Sequence, residues 1–446
     1  MAMIGLAEVS IRRGGLAGSP RPCNRTEDPV PRLGATLAFA LALGLAAPSP
    51  AWAQAPADAP ESLWTRDTLG GDWGGARHAL GQYGLRFDLW ATGFYQGMLD
   101  GDGNDDWDTG GRADLMINAD TAKLGLWQGG GVHAHVTYRG GELSGFRGGA
   151  LLPVHVSGLF PLGAKDEVVA TSLYLSQRLG DSTRLMLGKI NAIDLLASHP
   201  FFGGWGTDRF LSLPFVAPPS GVVPPVIMGG ILTHAFAPYT LTAMVFDPND
   251  QTTNYDFDGL FEDGVNVSLG LSWSGEVAGR KSGAGITATY STAEGTDFEQ
   301  IGLPPGSQTT PKKGSYNVAV EVSHLLVESA QVPGKGLGVY AKAGIADGNP
   351  NPIQASFVGG LAGYGMVPGR ALDYFGVGYF FYNFSDELQD AVAPVGSFTD
   401  EQGVEAYYVF APTPWLRLSP HLQWVNPANG ANESMWLGGL RARVAF

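Results

Sequence analysis

Hydrophobic and polar residues alternate along the stretch from Trp436 to Phe446. One face of this stretch carries apolar side chains, and the other carries Arg441 and Arg443. Side chains alternate across a β-strand, so the pattern predicts a strand with one apolar and one charged face. A tilted strand of about 9–11 residues spans a bilayer, and aromatic residues gather at both membrane interfaces. Because Trp436 and Phe446 bound the apolar face, we predict a membrane-spanning strand whose arginines face water.

The same alternation recurs in many short segments along the chain. Between Val265 and Trp273, apolar residues occupy the odd positions, and asparagine, serine and glycine occupy the even ones. A half-buried strand has this period of two residues. The pattern predicts sixteen strands, near residues 85–96, 112–120, 132–139, 168–177, 184–190, 228–236, 239–247, 264–273, 284–291, 315–324, 336–345, 354–362, 373–383, 402–411, 415–424 and 436–446. An even number is typical of bacterial single-chain barrels.

The connections between these predicted strands differ in length. The long ones are 97–111, 140–167, 191–227, 248–263, 292–314 and 384–401. The short ones are 178–183, 237–238, 274–283 and 412–414. Outer-membrane barrels have long extracellular loops and short periplasmic turns. We therefore predict an all-β fold, an outer-membrane antiparallel β-barrel of about sixteen strands, formed by residues 85–446.

The residues before the barrel divide into an export signal and a short periplasmic segment. An apolar run from Leu33 to Ala46 is followed by the small-residue site Ala51–Ala53, which indicates a signal peptide over residues 1–53. The run is shorter than a membrane-spanning helix needs. Residues 54–84 are then predicted to lie in the periplasm, with a helix from Gly75 to Gly81.

Composition narrows the class of protein further. The chain contains 65 glycines and 11% aromatic residues, which suits many short strands and turns. Its formal net charge of −15 argues against nucleic acid as a partner. The single cysteine, Cys23, lies in the leader, so no disulfide is expected. No run after residue 53 suits a membrane helix. A secreted soluble β protein and an outer-membrane barrel remain, and the apolar strand faces favour the barrel.

Short motifs occur in a fixed order along the chain. Leu69-Gly-Gly-Asp-Trp-Gly-Gly-Ala-Arg77 precedes the first predicted strand, Phe246-Asp-Pro-Asn-Asp250 lies midway, and Pro414-Trp-Leu416 precedes a late strand. In this order, over about residues 64–446, they resemble the OprB-type carbohydrate-selective porins. The resemblance implies a bacterial outer-membrane barrel that lets mono- or small saccharides and polyols diffuse through a charged and aromatic-lined pore. A porin for other small polar solutes is the alternative, and both a monomer and a homo-oligomer remain open.

The polar strand faces supply candidate pore-lining residues. Closing the barrel places the last strand beside the first, which gathers Arg86, Asp88, Trp90, Arg112, Asp114, Glu405, Arg417, His421, Arg441 and Arg443 on one part of the wall. Two other strands add Glu321, Tyr340 and Lys342. Guanidinium groups can bind vicinal hydroxyls, and aromatic rings can stack on a sugar. We therefore expect Trp90 and Arg441 to face the same water at similar height. The alternative is that these charges only solvate a wide channel.

The long connection 191–227 is a second candidate. Its constriction residues would be Phe201, Phe202, Trp205, Asp208 and Arg209. Exposed apolar patches of this kind are rare, so we expect the loop to fold back into the barrel and narrow the pore. Packing against the outer rim or a neighbouring copy is the alternative.

Other functions have weaker support in the sequence. The stretch Asp100–Asp108 is rich in oxygen ligands, but Asp105 stands where a calcium-binding EF-hand loop needs glycine, so a solvated loop is favoured. His133 and His135 share one strand face without the glycine–serine turn of hydrolases. We therefore predict no enzyme activity, no cofactor and no metal site. A structural or adhesive barrel without transport is the third class.

Overall fold

The computed structural model describes residues 62–196, 199, 201, 203–304 and 307–446. The predicted signal peptide, residues 1–53, and the constriction candidate Phe202 lie outside the described residues. Within the described part, sixteen antiparallel strands form a closed barrel. They are β1 (Leu85–Asp100), β2 (Trp107–Asp120), β3 (Gly130–Gly141), β4 (Val168–Leu179), β5 (Thr183–Asn191), β6 (Val226–Phe236), β7 (Tyr239–Phe246), β8 (Asn266–Val277), β9 (Arg280–Gly295), β10 (Lys312–Glu328), β11 (Gly336–Ala346), β12 (Ile353–Tyr364), β13 (Tyr374–Phe384), β14 (Glu401–Thr413), β15 (Leu416–Asn426) and β16 (Met435–Ala445).

The predicted barrel is confirmed, and every predicted strand corresponds to one of these. Each strand pairs with its neighbours in sequence, and β16 pairs with β1 to close the wall. The largest difference in a strand end is in β2, which begins at Trp107 instead of 112. β8 and β9 are longer than predicted, so that the connection between them is the two residues 278–279 and not the predicted 274–283.

Short helices accompany the barrel. The helix α1 (Ala76–Gln82) follows a 3-10 turn at Trp73–Gly75, close to the predicted range Gly75–Gly81. The others are α2 (Val156–Leu159), α3 (Ala192–Leu195), α4 (Leu213–Val216), α5 (Asp386–Val392) and a 3-10 turn at Phe298–Gln300. Over the described residues, the helices are all too short or too polar to cross a bilayer.

Connection length separates the two ends of the barrel. One end carries loop L2 (residues 142–167), loop L3 (residues 192–225) and loop L4 (residues 247–265). The other end carries short turns such as 237–238 and 278–279. By the rule that long loops lie outside the cell, the end with the short turns is the periplasmic one.

The N-terminal segment (residues 62–84) is bound to the last strand at the periplasmic end. The Leu69 amide donates to the Ala445 carbonyl at 2.7 Å. The Arg77 guanidinium donates to Thr68 Oγ1 at 2.9 Å and to the Phe446 carbonyl oxygen at 2.6 Å. These bonds hold the segment against the seam where β16 meets β1.

Loops L2 and L3 fold into the lumen and form a core against one side of the wall. The side chains of Phe210 and Phe215 in L3 are fully buried, and their rings stack 4.4 Å apart. Phe215 packs against Phe380 of β13, with ring centres 5.7 Å apart. Gly378 leaves room for it, because a Cβ there would lie 2.4 Å from Phe215 Cε1. The predicted inward folding of the loop is what the structure shows, and the packing on an outer rim is not.

Lys189 corrects one expectation from the alternation. Its position in the predicted strand 184–190 faces lipid, which is costly for an ammonium group. In the structure Lys189 is buried beneath L4. Its Nζ donates to the Thr252 carbonyl at 2.8 Å and the Asn254 carbonyl at 2.9 Å, and lies 4.0 Å from the centre of the Tyr255 ring. The loop therefore replaces lipid around this charge.

The two faces of β8 provide a test of the register. Leu271 faces outward and is 40% exposed, whereas the adjacent Ser272 lies on the lumen face and is exposed there. We expect Leu271→Arg to lower the free energy of unfolding by about 2–4 kcal/mol, because the charge enters hydrocarbon. The matched variant Ser272→Arg should cost far less. Urea titration of both variants in lipid vesicles measures the difference, and equal losses would contradict the register.

Candidate functional site

A buried carboxylate on β14 binds the backbone of L3. Glu405 is 1% exposed and accepts hydrogen bonds from the Leu211 amide at 2.6 Å and the Ser212 amide at 3.0 Å. Gln423 Nε2 donates to it at 3.0 Å, and His421 Nδ1 lies 3.1 Å away. Two converging amides and a carboxylate resemble a helix cap in their chemistry, and they attach the middle of L3 to the wall.

A second carboxylate on the same face of β14 does the same for L2. Glu401 accepts from the Leu151 amide at 2.6 Å and the Leu152 amide at 3.0 Å. It also accepts from the Ala428 amide at 3.0 Å, in the loop before β16. The two glutamates therefore anchor two different inward-folded loops.

Arg441 also binds L3, but it binds the backbone carbonyl groups of the loop, whereas Glu405 binds its amide groups. Its guanidinium donates to the Gly206 carbonyl at 3.0 Å, the Arg209 carbonyl at 2.6 Å and the Asp208 carbonyl at 2.6 Å. It also donates to Ser419 Oγ on β15 at 3.2 Å. A planar group with five donors suits this cluster of acceptors. Arg441 is 3% exposed, so it anchors L3 and does not line open water.

The side chain of Asp208 completes the attachment. Arg417 and Arg443 each donate to Asp208 Oδ1 at 2.9 Å, and the Tyr374 hydroxyl donates to the same atom at 2.5 Å. Burial alone would raise the pKa of Asp208, but the guanidinium groups of Arg443, Arg417 and Arg209 outweigh burial and hold this pKa below its ordinary value. Asp208 is therefore ionised at neutral pH.

A third network attaches the first part of L3 to β2 and β3. Arg112 donates to Asp114 at 2.7 Å, and His135 Nε2 lies 2.9 Å from the same Asp114 oxygen. His135 Nδ1 lies 2.9 Å from Asp194 Oδ1, which also accepts from Trp205 Nε1 at 2.8 Å. The Arg112 guanidinium lies 4.4 Å from the centre of the Trp205 ring. Trp205, one of the predicted constriction residues, is thus held against β2 by Arg112.

A partly exposed charged pair lies on the other side of L3, at β10 and β11, and we call this region the gap. Lys342 Nζ and Glu321 Oε2 are 3.6 Å apart, and these side chains are 25% and 37% exposed. Next to them, the L3 residue Phe201 stacks on Tyr340 with ring centres 4.6 Å apart. Arg112, Asp114, Glu405 and His421 also face the lumen, but their side chains are at most 8% exposed. The Glu321–Lys342 pair is therefore accessible to water where those charges are covered.

His199 of L3 experiences the electrostatic field of positively charged residues at this gap. Its carbonyl accepts from Arg209 Nη1 at 2.5 Å. Burial lowers the pKa of His199, and the positive charges of Arg209 and Lys342 act in the same direction, so that together they bring this pKa to about 3. The imidazole is therefore neutral at physiological pH. The positive charge here comes from the arginine and the lysine.

The predicted arginine wall is not a single water-facing surface. Trp90 lies opposite Ala445, whereas Arg441 lies opposite Phe94, so the expectation of similar height was wrong. The arginine side chain that contacts Trp90 is that of Arg443, whose guanidinium lies 5.0 Å from the centre of the Trp90 ring. The predicted lining residues that are covered by loops or wall are Arg112, Asp114, Tyr340, Glu405, His421 and Arg441. Those that keep more exposure are Arg86, Asp88, Trp90, Glu321, Lys342, Arg417 and Arg443.

Sequence reasoning missed several residues of these networks. Glu401 was placed just before the predicted strand 402–411, although it shares a face with Glu405. Tyr374 lies on a strand whose two faces are both aromatic, so alternation could not place it. Asp194 and His199 were not selected within the long connection. Glu401 could have been found from its spacing of four residues from Glu405, which puts both on one strand face.

Comparison with known proteins shows which family this chain is similar to. Residues 105–446 match the sequence model of the carbohydrate-selective porin, OprB family. Porin B of Pseudomonas aeruginosa is 25% identical over 456 residues, which cover 92% of this chain and 96% of that protein. The putative porin QuiX of Acinetobacter baylyi is 25% identical over 439 residues, which cover 86% of this chain and 94% of that protein.

A solved structure shares the architecture. The high-pH structure of OprB from Pseudomonas putida superposes with a TM-score of 0.76, covering 86% of this chain and 100% of that one. The two sequences are 21% identical, so the likeness concerns the fold.

Proposed function

The chain belongs to the OprB family of carbohydrate-selective porins, and from this premise we propose that sugars cross its barrel through the gap between L3 and the Glu321–Lys342 pair. The protein is an outer-membrane porin. The solutes that we propose are monosaccharides, small oligosaccharides and polyols.

The exposure of the Glu321–Lys342 pair carries this proposal. At β14 and β16, L3 is attached to the wall by Glu405, Arg441 and the bonds to Asp208, and the loop covers the wall there. At the gap, a carboxylate acceptor and an ammonium donor stand 3.6 Å apart and partly exposed. Sugar hydroxyls both donate and accept, so vicinal hydroxyls can bind the two groups together. A solute that loses hydration water in a narrow passage can therefore form hydrogen bonds to this pair in place of that water.

Catalysis has no comparable support in the geometry. Both ring nitrogens of His135 lie about 2.9 Å from carboxylate oxygens of Asp114 and Asp194. His135 is 2% exposed. A nucleophile-activating base needs a free ring nitrogen within reach of its nucleophile. We therefore propose a channel without enzyme activity, in which His135 positions L3.

Liposome swelling tests the proposed function directly. Vesicles containing the protein should swell in neutral sugars faster than in non-sugar solutes of similar size, because only the sugars present paired hydroxyls to the gap. Sugar acids should enter at a different rate, since Glu321 and Lys342 respond oppositely to their charge. Equal rates for sugars and size-matched non-sugars would support a general porin instead.

The variant Lys342→Met tests the location of the path. Removing one charged hydrogen-bond donor should weaken sugar block of the ion current by at most about tenfold, because such a bond contributes about 1.5–3 kcal/mol before solvent screening. Anion preference should fall with the lost positive charge. The matched control is Lys313→Met, which breaks an exposed pair with Glu294 at 2.9 Å near the extracellular rim. If both variants behave like the parent in planar bilayers, the solute path lies elsewhere.

A further inference from the structure

A separate cavity of about 350 Å³ opens at the periplasmic end of the barrel. Its lining includes Trp90, Trp415, Arg417, Arg443, Asp67 and Thr68. We propose that it is a second carbohydrate site, which holds a sugar of one or two rings after the sugar has passed L3. This inference rests on the proposed function and adds an exit site to it.

The N-terminal segment builds one wall of this cavity. Asp67 and Thr68 come from the segment, and the remaining lining residues come from the barrel. The Leu69 amide donates to Ala445, and Trp415 Nε1 donates to the Leu63 carbonyl, each at 2.7 Å. The segment is thereby held on both sides of the cavity. Without it, Trp415 and Arg417 would line an open mouth and not a pocket.

The lining has the chemistry that binds a carbohydrate. Two indole side chains supply faces on which sugar C–H groups can pack. Arg417 and Arg443 are oriented by their bonds to Asp208 at 2.9 Å, and each guanidinium has five N–H donors. Asp67 and Thr68 supply acceptors from the facing wall. A volume of about 350 Å³ lies at the small end of ligand sites, which run from about 300 to 1,000 Å³.

The charge balance favours a neutral sugar over an anion. The two guanidinium groups are already neutralised in part by Asp208, which both of them bind. Asp67 adds a second carboxylate on the opposite wall. A phosphate or a sugar acid would meet this carboxylate, whereas a neutral polyol can donate to it. The aromatic rings add binding that a simple inorganic anion cannot use.

The position of the cavity gives the site a role in exit. Arg417 and Arg443 contact both the cavity and Asp208 of L3, so the site begins where the attached loop ends. A sugar that leaves the gap can bind here before it reaches the periplasm. Sugar added from the periplasmic side meets this site first, and sugar added from outside meets L3 first. Block of the ion current should therefore differ between the two sides.

The experiment measures sugar-induced current noise in planar bilayers, with glucose added to one side at a time. Trp415→Ala should shorten the sugar dwell time from the periplasmic side by about three- to tenfold, because it removes a stacking face. Trp415→Phe should retain most of the dwell time, since it keeps an aromatic face. Both variants lose the bond to Leu63, so equal effects would show that Trp415 only holds the segment, and would overturn the proposal.

Two further variants keep the test independent of folding. Asp67→Asn changes an exposed side chain of the segment from a charged to a neutral acceptor, and the weaker hydrogen bond should also shorten the periplasmic dwell, by about two- to fivefold. The control Trp127→Ala removes another periplasmic tryptophan, whose Nε1 donates to Gln177 at 2.8 Å, and should leave the dwell unchanged. Block by inorganic phosphate in place of glucose would overturn the proposal in favour of an anion site. Suppose that vesicles containing the parent protein swell in sugars while Trp415→Ala and Asp67→Asn show the same sugar-induced current noise as the parent. That result would reject the exit site and leave the proposed function standing.

Discussion

Replacement of Glu405 by alanine is expected to free L3 from the barrel wall and to raise the single-channel conductance. Glu405 accepts from the amides of Leu211 and Ser212 inside a site that is closed to solvent. Without the carboxylate, both amides lose their acceptor. Each unpaired buried donor costs about 1–3 kcal/mol, so the attached state of L3 should lose about 2–6 kcal/mol. Every 1.4 kcal/mol raises the detached population about tenfold.

Glu401→Ala is the matched control for this prediction. It removes the same side chain from the same strand face, but the amides that it frees belong to Leu151 and Leu152 of L2 and to Ala428 in the loop before β16. Protease added outside intact vesicles should therefore cut Glu405→Ala within residues 192–225 and Glu401→Ala within residues 142–167. Mass spectrometry of the fragments identifies the loop. Cleavage of the same loop in both variants would show that L2 and L3 dock as one unit and that neither glutamate has its own loop.

The barrel could be predicted from the sequence because lipid imposes a strict pattern on its outer face. Residues that contact hydrocarbon must be apolar, so Leu269 and Leu440 mark the outward phase of their strands and are 55% and 56% exposed. The strand ends were less accurate because the membrane imposes no pattern beyond its surface. β2 extends to Trp107, and Tyr95 packs against this indole with ring centres 4.8 Å apart.

The inner face could not be predicted in the same way, because its environment depends on the loops. β13 carries Phe380 and Tyr382 toward the lumen, where water would be expected. Both rings belong to the buried cluster that residues of L2 and L3 form with the wall, and Phe215 of L3 packs against Phe380. A local pattern cannot tell whether a polar inward residue meets water or the backbone of a loop distant in sequence. Glu405 was predicted correctly as inward-facing, yet its contacts are the amides of L3.

The heights of residues across the closing seam were also beyond the pattern. Strands in a barrel are staggered, and the stagger depends on the whole closed sheet. Trp90 and Arg441 are both inward-facing, but the register separates them by four residues, about 13 Å along the strand. Arg443 lies closer and contacts the Trp90 ring. The sequence thus predicted the face of each residue, and the register decided its neighbours.

Arg441→Ala is expected to loosen L3 more than the loss of any neighbouring arginine. Three carbonyls of L3, at Gly206, Asp208 and Arg209, accept from this guanidinium. Hydrogen bonds to a charged group contribute about 1.5–3 kcal/mol each, so their joint loss should destabilise the attached loop by several kcal/mol. We expect larger and noisier single-channel currents, together with weaker discrimination among sugars. Conductance and sugar block in planar bilayers measure both effects.

Arg443→Ala separates this anchoring role from charge alone. Arg443 lies two residues along the same face of β16 and carries the same charge, but among the described residues of L3 it donates to Asp208 Oδ1 alone, at 2.9 Å. Arg417 and Tyr374 still bind that oxygen in the variant. Arg443→Ala should therefore reduce anion preference with little change in current size, whereas Arg441→Ala should change both. If the two variants alter only anion preference, and to the same extent, then Arg441 acts through its charge on the permeating ions, and L3 is held without it.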